Sequence, residues 1–128
     1  MAVTMIVSRT GALFNNQWKP ILIEGIRHAQ QDVADYGVAE VVYALDDVLI
    51  ENHGGYISTI SSEWESNDLS IIDGTEYGPW LEGLGSRNET SRFKGYWTFR
   101  LTTSKIQDEA EAIALEAIVP FIEQINIY

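Results

Sequence analysis

The stretch QWKPILIEGIRHAQQDVADYGVAEVVYALDDVLI, residues 17–50, decides the fold. Trp18, Leu22, Ile26, Ala29 and Val33 recur at steps of four, four, three and four, which puts them on one face of an α-helix. Pro20 comes early enough for the first turn, where a missing N–H breaks no helical hydrogen bond. Gly37 is expected to kink or end the helix. Beyond it Val38, Val41, Val42, Leu45, Val48 and Leu49 form a second stripe. The spacing therefore predicts one long bent helix or two consecutive helices over 17–50, stopped by Asn52-His53-Gly54-Gly55.

Past those glycines the period changes. Tyr56 to Trp64 is β-prone and partly alternating, Asn67-Asp68 suits a turn, and Leu69 to Ile72 reads as a second strand, so a hairpin is expected, closed by Asp73-Gly74. Residues 74–95 are glycine-rich and read mostly as loop, with a helical turn open at 77–82. Tyr96 to Thr102 fits either a third strand or the lead-in to the last helix. Ser104 followed by Gln107 has the spacing of a capping box, so a helix is expected to start there. Ile106, Ala110, Ile113, Ala117 and Phe121 line one stripe of it, with Leu115, Ile118 and Ile122 beside them. Pro120 should kink or end this helix. Upstream of everything, Ala2 to Val7 reads as an edge strand or an ordered arm, and Arg9-Thr10-Gly11 as a turn. The expected fold is α+β: a long N-terminal helical region and a C-terminal helix packed on a small antiparallel β-sheet, in a single domain over 1–128.

A chain of 128 residues with 45% apolar residues can bury a core without metal or disulfide support. The absence of cysteine excludes a disulfide framework, a thiolate zinc site and a cysteine nucleophile. The first residues carry no basic leader and no long apolar run, so no secretory signal or membrane span is expected, and the chain reads as a product assembled inside a cell. The net charge of −11 argues against binding free duplex DNA, which needs cations to displace counterions. The few cations are unevenly placed. Arg87, Arg92, Lys94, Arg100 and Lys105 face a single acid, Glu89, so residues 87–105 carry +4, whereas three cations and eighteen acids leave the remainder at −15. Such a band is either chance clustering on a loop or a surface that meets an acidic face of a neighbouring copy.

Motifs of chemistry are sparse. His28 and His53 have no partners at ligand spacing, and a metal site needs three or four converging ligands. Glu63, Glu65, Asp73 and Glu82 lie near Trp64 and Trp80, a set that a sugar-cleaving cleft could use and that solvated acids beside core tryptophans explain as well. Asp46-Asp47 lacks calcium-loop spacing. The glycines at 74, 78, 83 and 85 precede no Lys-Ser or Lys-Thr and make no phosphate loop. Asn88-Glu89-Thr90 would be a glycosylation acceptor only in a secreted chain.

The segment from Asp73 to Arg100, DGTEYGPWLEGLGSRNETSRFKGYWTFR, is less generic. Tyr77, Trp80, Leu81, Glu82, Gly83, Gly85, Arg92, Phe93, Gly95 and Tyr96 resemble a pattern of the neck, or head–tail connector, proteins of long-tailed bacteriophages, the tail-component family. In that pattern a tyrosine precedes an aromatic-Leu/Val-Glu-x-Gly stretch, then a loop and a Phe-containing segment lead into the last helix. Gly78-Pro79 departs from it, standing where many relatives have small non-proline residues. The resemblance implies a structural virion protein with no enzymatic activity and no cofactor. It would form a homo-oligomeric ring between the portal-side adaptor or stopper and the tail, with DNA passing through the lumen and no sequence-specific nucleic-acid contact. A tail terminator or head-closure stopper is the alternative of the same class, and an acidic DNA-mimic inhibitor that of another. The candidate subunit interface is Tyr77, Trp80, Glu82, Arg87, Asn88, Arg92, Phe93, Lys94 and Tyr96. Glycines let such a loop approach another backbone closely, and aromatics with arginine are enriched at interface centres. The same aromatics would also serve the domain's own core.

Overall fold

The computed structural model describes Met5 and residues 16–49, 54–75 and 78–127. The expected N-terminal strand or arm (Met5 apart), the turn at 9–11, His53 and Tyr77 lie outside those residues. The elements run α1 (Trp18–Val48), α2 (Gly54–Ile57), β1 (Ser61–Glu65), β2 (Asp68–Ile72), α3 (Gly78–Glu82), α4 (Ser86–Thr90) and α5 (Thr98–Ile127). Two long helices and a two-stranded antiparallel sheet make an α+β fold.

The two long helices lie antiparallel. Gly25 of α1 meets Phe121 and Ile118 of α5, and fifteen residues further along α1 Glu40 meets Lys105, so the register of α5 runs backwards against α1. Gly37 does not break α1, which is one continuous helix. A Cβ there would run into the end of the Ile71 side chain and lie 3.3 Å from Ile106 Cδ1. The glycine is thus a notch in the helix that admits β2 and α5, and this close packing offsets its poor helix propensity of about 1 kcal/mol. The buried positions of α1 are Gly25, Ala29, Ala34, Gly37, Val41 and Leu45. In its first half these are the small residues, because the distance between helix axes depends on the side chains at the contact. The bulkier Ile26 of the apolar stripe is 46% exposed.

The hairpin pairs Ser61 with Ile72 through to Glu65 with Asp68, with Ser66 at φ 56 in the intervening turn. It is shorter than expected at its start. Tyr56 coils into α2 because its ring is drawn into the core, where it is 1% exposed, and its hydroxyl reaches Asp73 Oδ2 at 3.3 Å. Trp64 lies over α1: Arg27 stacks 4.1 Å from its ring centroid and its indole N–H donates to Gln31. The filled core joins Val41, Leu45, Tyr56 and Ile60, with Val38, Ile71, Leu81 and Phe99 packed against it. It sits at the end where α1 finishes and α5 begins.

Two expectations for α5 are corrected. The helix starts at Thr98, so Ser104 and Gln107 lie inside it and form no capping box. Pro120 does not end it, since seven further residues to Ile127 remain helical.

Candidate functional site

Residues 78–97, read from sequence as mostly loop, form a small module of two helical turns laid against the start of α5. Its construction explains the residue types. The Pro79 carbonyl accepts from the N–H groups of Gly83, Leu84 and Gly85 at 2.9, 2.7 and 3.1 Å, closing α3. Gly83 and Gly95 then meet back to back, with φ of 98° and 92°. A Cβ on Gly95 would collide with the Gly83 backbone, and one on Gly83 with the Lys94 carbonyl. Both the left-handed conformation and the closeness demand glycine. The approach lets Tyr96 N–H donate to the Leu81 carbonyl at 2.6 Å.

Two polar side chains of the candidate interface are spent inside this module. Asn88 is 3% exposed. Its Oδ1 accepts from Gly85 N–H at 2.9 Å, and its amide donates to the carbonyls of Trp80 and Phe93, both at 3.1 Å. Asn88 thereby ties α3, α4 and the irregular segment that follows them together. Glu82 is 6% exposed and caps α5 from a distance. Its two carboxylate oxygens accept from the N–H groups of Phe99 (2.9 Å) and Arg100 (3.1 Å), donors that a helix start leaves without internal partners. The Arg100 guanidinium returns to the same carboxylate at 3.1 Å and to the Glu82 carbonyl. A negative charge at a helix N-terminus is also favoured by the helix dipole. This contact decides where α5 begins, and it joins residues 17 and 18 apart.

Of the remaining candidates, Trp80, Phe93 and Tyr96 are half-buried and pack in tilted and edge-to-face contacts, with ring centroids 5.0 Å apart in each successive pair. Lys94 bends back to donate to the carbonyls of Asn88 and Glu89 at 2.8 and 3.0 Å. Arg87 and Arg92 are exposed and make no ion pair among the described residues. Beside them the module presents Leu84, 70% exposed, and Trp97, whose indole N–H is held by the Lys94 carbonyl and whose ring carries Arg100 at 3.9 Å. Tyr77 lies outside the described residues.

No family model, curated protein or solved structure matches this chain. Its chemistry therefore rests on its own geometry.

The basic band divides in three. Arg100 is taken by Glu82, and Lys105 stands 2.7 Å from Glu40 of α1, which raises the Lys105 pKa by hydrogen bond and by charge. Tyr36, close by, is also raised, by burial first and then by Glu40. Lys94 is folded onto carbonyls. Arg87 and Arg92 are the cations of the band that make no ion pair among the described residues.

The carboxylates considered for a sugar-cleaving cleft are placed apart in role. Glu63 and Glu65 face outward on β1, Asp73 receives the Tyr56 hydroxyl, and Glu82 caps α5. His28 is exposed, 3.7 Å from Asp32 and against the Phe121 ring. Among the described residues no group of acids and histidines could hold a metal ion, and no helix is long and apolar enough to cross a membrane.

One feature of the surface escapes the sequence. Between α1, β2 and α5 lies an open groove of about 850 Å³, walled by Ile26, Val33, Leu69, Ile71, Ile106, Leu115 and Ile118 among others. Its residues belong to stripes that read as core from periodicity alone. That a groove remains where those stripes meet depends on how far apart the elements sit.

Proposed function

We propose that this chain is a structural protein of the neck of a long-tailed bacteriophage, assembling as a ring of copies that helps join the portal side of the head to the tail. The observation that carries the reading is the module at 78–97: in a chain of net charge −11 it presents two exposed arginines, Arg87 and Arg92, that make no ion pair among the described residues, together with exposed Leu84 and Trp97. Arginine and tryptophan beside an apolar surface suit the centre of a protein interface. The acidic remainder supplies the complementary field, since basic and acidic patches on successive copies steer and register association. Glu82, Asn88 and Lys94 then act by holding the module rigid, which lowers the ordering cost of binding. The acidic surface would also suit a lumen through which DNA slides without adhering. The sites of assembly are the host cell interior and then the virion.

The exposed arginines also favour this reading over an acidic DNA mimic, which needs an uninterrupted acidic face. Light scattering of the purified chain across a salt series tests the proposal. Assembly should weaken as salt rises, and the double variant Arg87→Glu/Arg92→Glu should stay monomeric with an unchanged helical signal. A variant that assembles as the wild type does would remove the role of these arginines.

A further inference from the structure

We propose that the open groove between α1, β2 and α5 receives residues 2–7 of a second copy of this chain, bound as an extended segment. The inference deepens the reading of the chain as self-assembling and rests on it.

The groove is apolar along its length, and Glu111 is the one charged residue that lines it. Two of its walls, Ile26 and Leu115, stand 46% and 56% exposed, so the single chain leaves it uncovered. It runs along α1 from Ile26 to Val41, about 22 Å at the helical rise of ~1.5 Å per residue. The segment Ala2-Val3-Thr4-Met5-Ile6-Val7 is uncharged and β-prone, and six extended residues reach about 20 Å. Its length and polarity therefore match the groove. The first charge after it, Arg9, would fall beyond the apolar walls with an acid, Glu111, among the groove's residues. Backbone partners are available too. Among the described residues β2 pairs with β1 alone, so the groove-lining strand has one edge without a strand partner there.

A copy other than the chain's own is indicated by Met5. It is 89% exposed, so at the centre of this apolar segment the single chain buries nothing. One molecule thus offers an exposed Met5 within an apolar stretch of sequence, and an uncovered apolar groove of matching length and polarity. Passing the segment to the next copy buries both, and a head-to-tail contact of this kind closes into a ring when its rotation closes.

The test uses two full-length variants. Val3→Asp/Ile6→Asp puts charge on both faces of the extended segment. Ala114→Trp fills the groove, and Leu115→Asp, at an exposed position, replaces it should the tryptophan reduce the helical circular dichroism. Sedimentation should show wild-type assemblies, a monomer for each variant alone, and a discrete heterodimer when the two are mixed, because one retains a groove and the other a segment. Monomers that remain monomers on mixing would mean the segment folds onto its own groove, and the proposal of exchange fails. Variants that both assemble like the wild type would also overturn it while leaving self-assembly standing. A wild-type chain that is monomeric at every concentration would overturn both readings.

Discussion

At one end of the α1–α5 pair the apolar flank of the helix seam is covered, and at the other it is bare. Where α1 ends, Val41, Leu45, Tyr56 and Ile60 close into a core that Phe99 and Leu81 cover, and Glu82 locks the start of α5 onto it. Where α1 begins, Ile23 and Ile26 face outward, as do Leu115, Val119 and Ile122 on α5. Both ends have the same apolar periodicity. The difference is that the closed end has a full third layer, made of α2, the base of the hairpin and the 78–97 module, whereas toward the start of α1 only the tip of the hairpin reaches, at Arg27 and Gln31. Two helices alone cannot enclose a stripe that is wider than their line of contact. The closed end carries stability, and the open end leaves apolar surface uncovered.

The largest test of that contrast is a matched pair of truncations. Leu45→Ala should cost about 3 kcal/mol in urea unfolding, the usual loss for a fully buried leucine. Leu115→Ala, at a half-exposed position, should change the stability of the monomer by less than ~1 kcal/mol. Equal losses would mean that the open end is not open.

Next in size is the lock between the module and α5. Glu82→Ala removes the two oxygens that accept from Phe99 and Arg100 and should cost about 2–3 kcal/mol. Those two backbone N–H groups should then exchange faster with solvent in hydrogen-exchange NMR, while those in the middle of α5 keep their order of protection.

Two glycines sharpen the contrast further. Gly95→Ala forces a left-handed conformation on alanine and drives its Cβ into the Gly83 backbone, which should cost about 2 kcal/mol. Gly37→Ala meets mainly the far end of the flexible Ile71 side chain and gains up to ~1 kcal/mol of helix propensity, so thermal unfolding should shift little.

The smallest effect is electrostatic. Lys105 has its pKa raised above the ordinary 10.5 by Glu40. A lysine raised on folding stabilises the fold at pH below its unfolded pKa and loses that contribution as pH climbs through the folded one. Lys105→Met should therefore flatten the alkaline side of a stability–pH curve above about that value and leave the neutral region nearly unchanged, as expected of an exposed pair.

Much of this was legible in residues 17–50 and 104–127, whose repeats of about 3.6 announce two long helices. The hairpin was legible in the change of period after Gly54-Gly55, whereas the glycine-rich 74–95 segment read mostly as loop and hid the paired roles of Gly83 and Gly95. Within the 78–97 segment the roles of Glu82 and Asn88 were not legible. A glutamate in a polar stretch looks solvated, and nothing local in the sequence says that it will meet N–H groups seventeen residues away. The two glycines of α1, 25 and 37, stand twelve residues apart on its buried face. Read together with Ala29 they were the available signal for the seam between the helices, but apolar periodicity counts bulk and passes over small residues.

The sequence by itself determined the two long helices and the hairpin, because those preferences act between residues three, four or two apart along one chain. Only the tertiary structure decided where α5 starts, which face of α1 is buried and which apolar stripe stays uncovered. Each of those depends on how closely separate elements approach in space, a distance on which local spacing has no purchase.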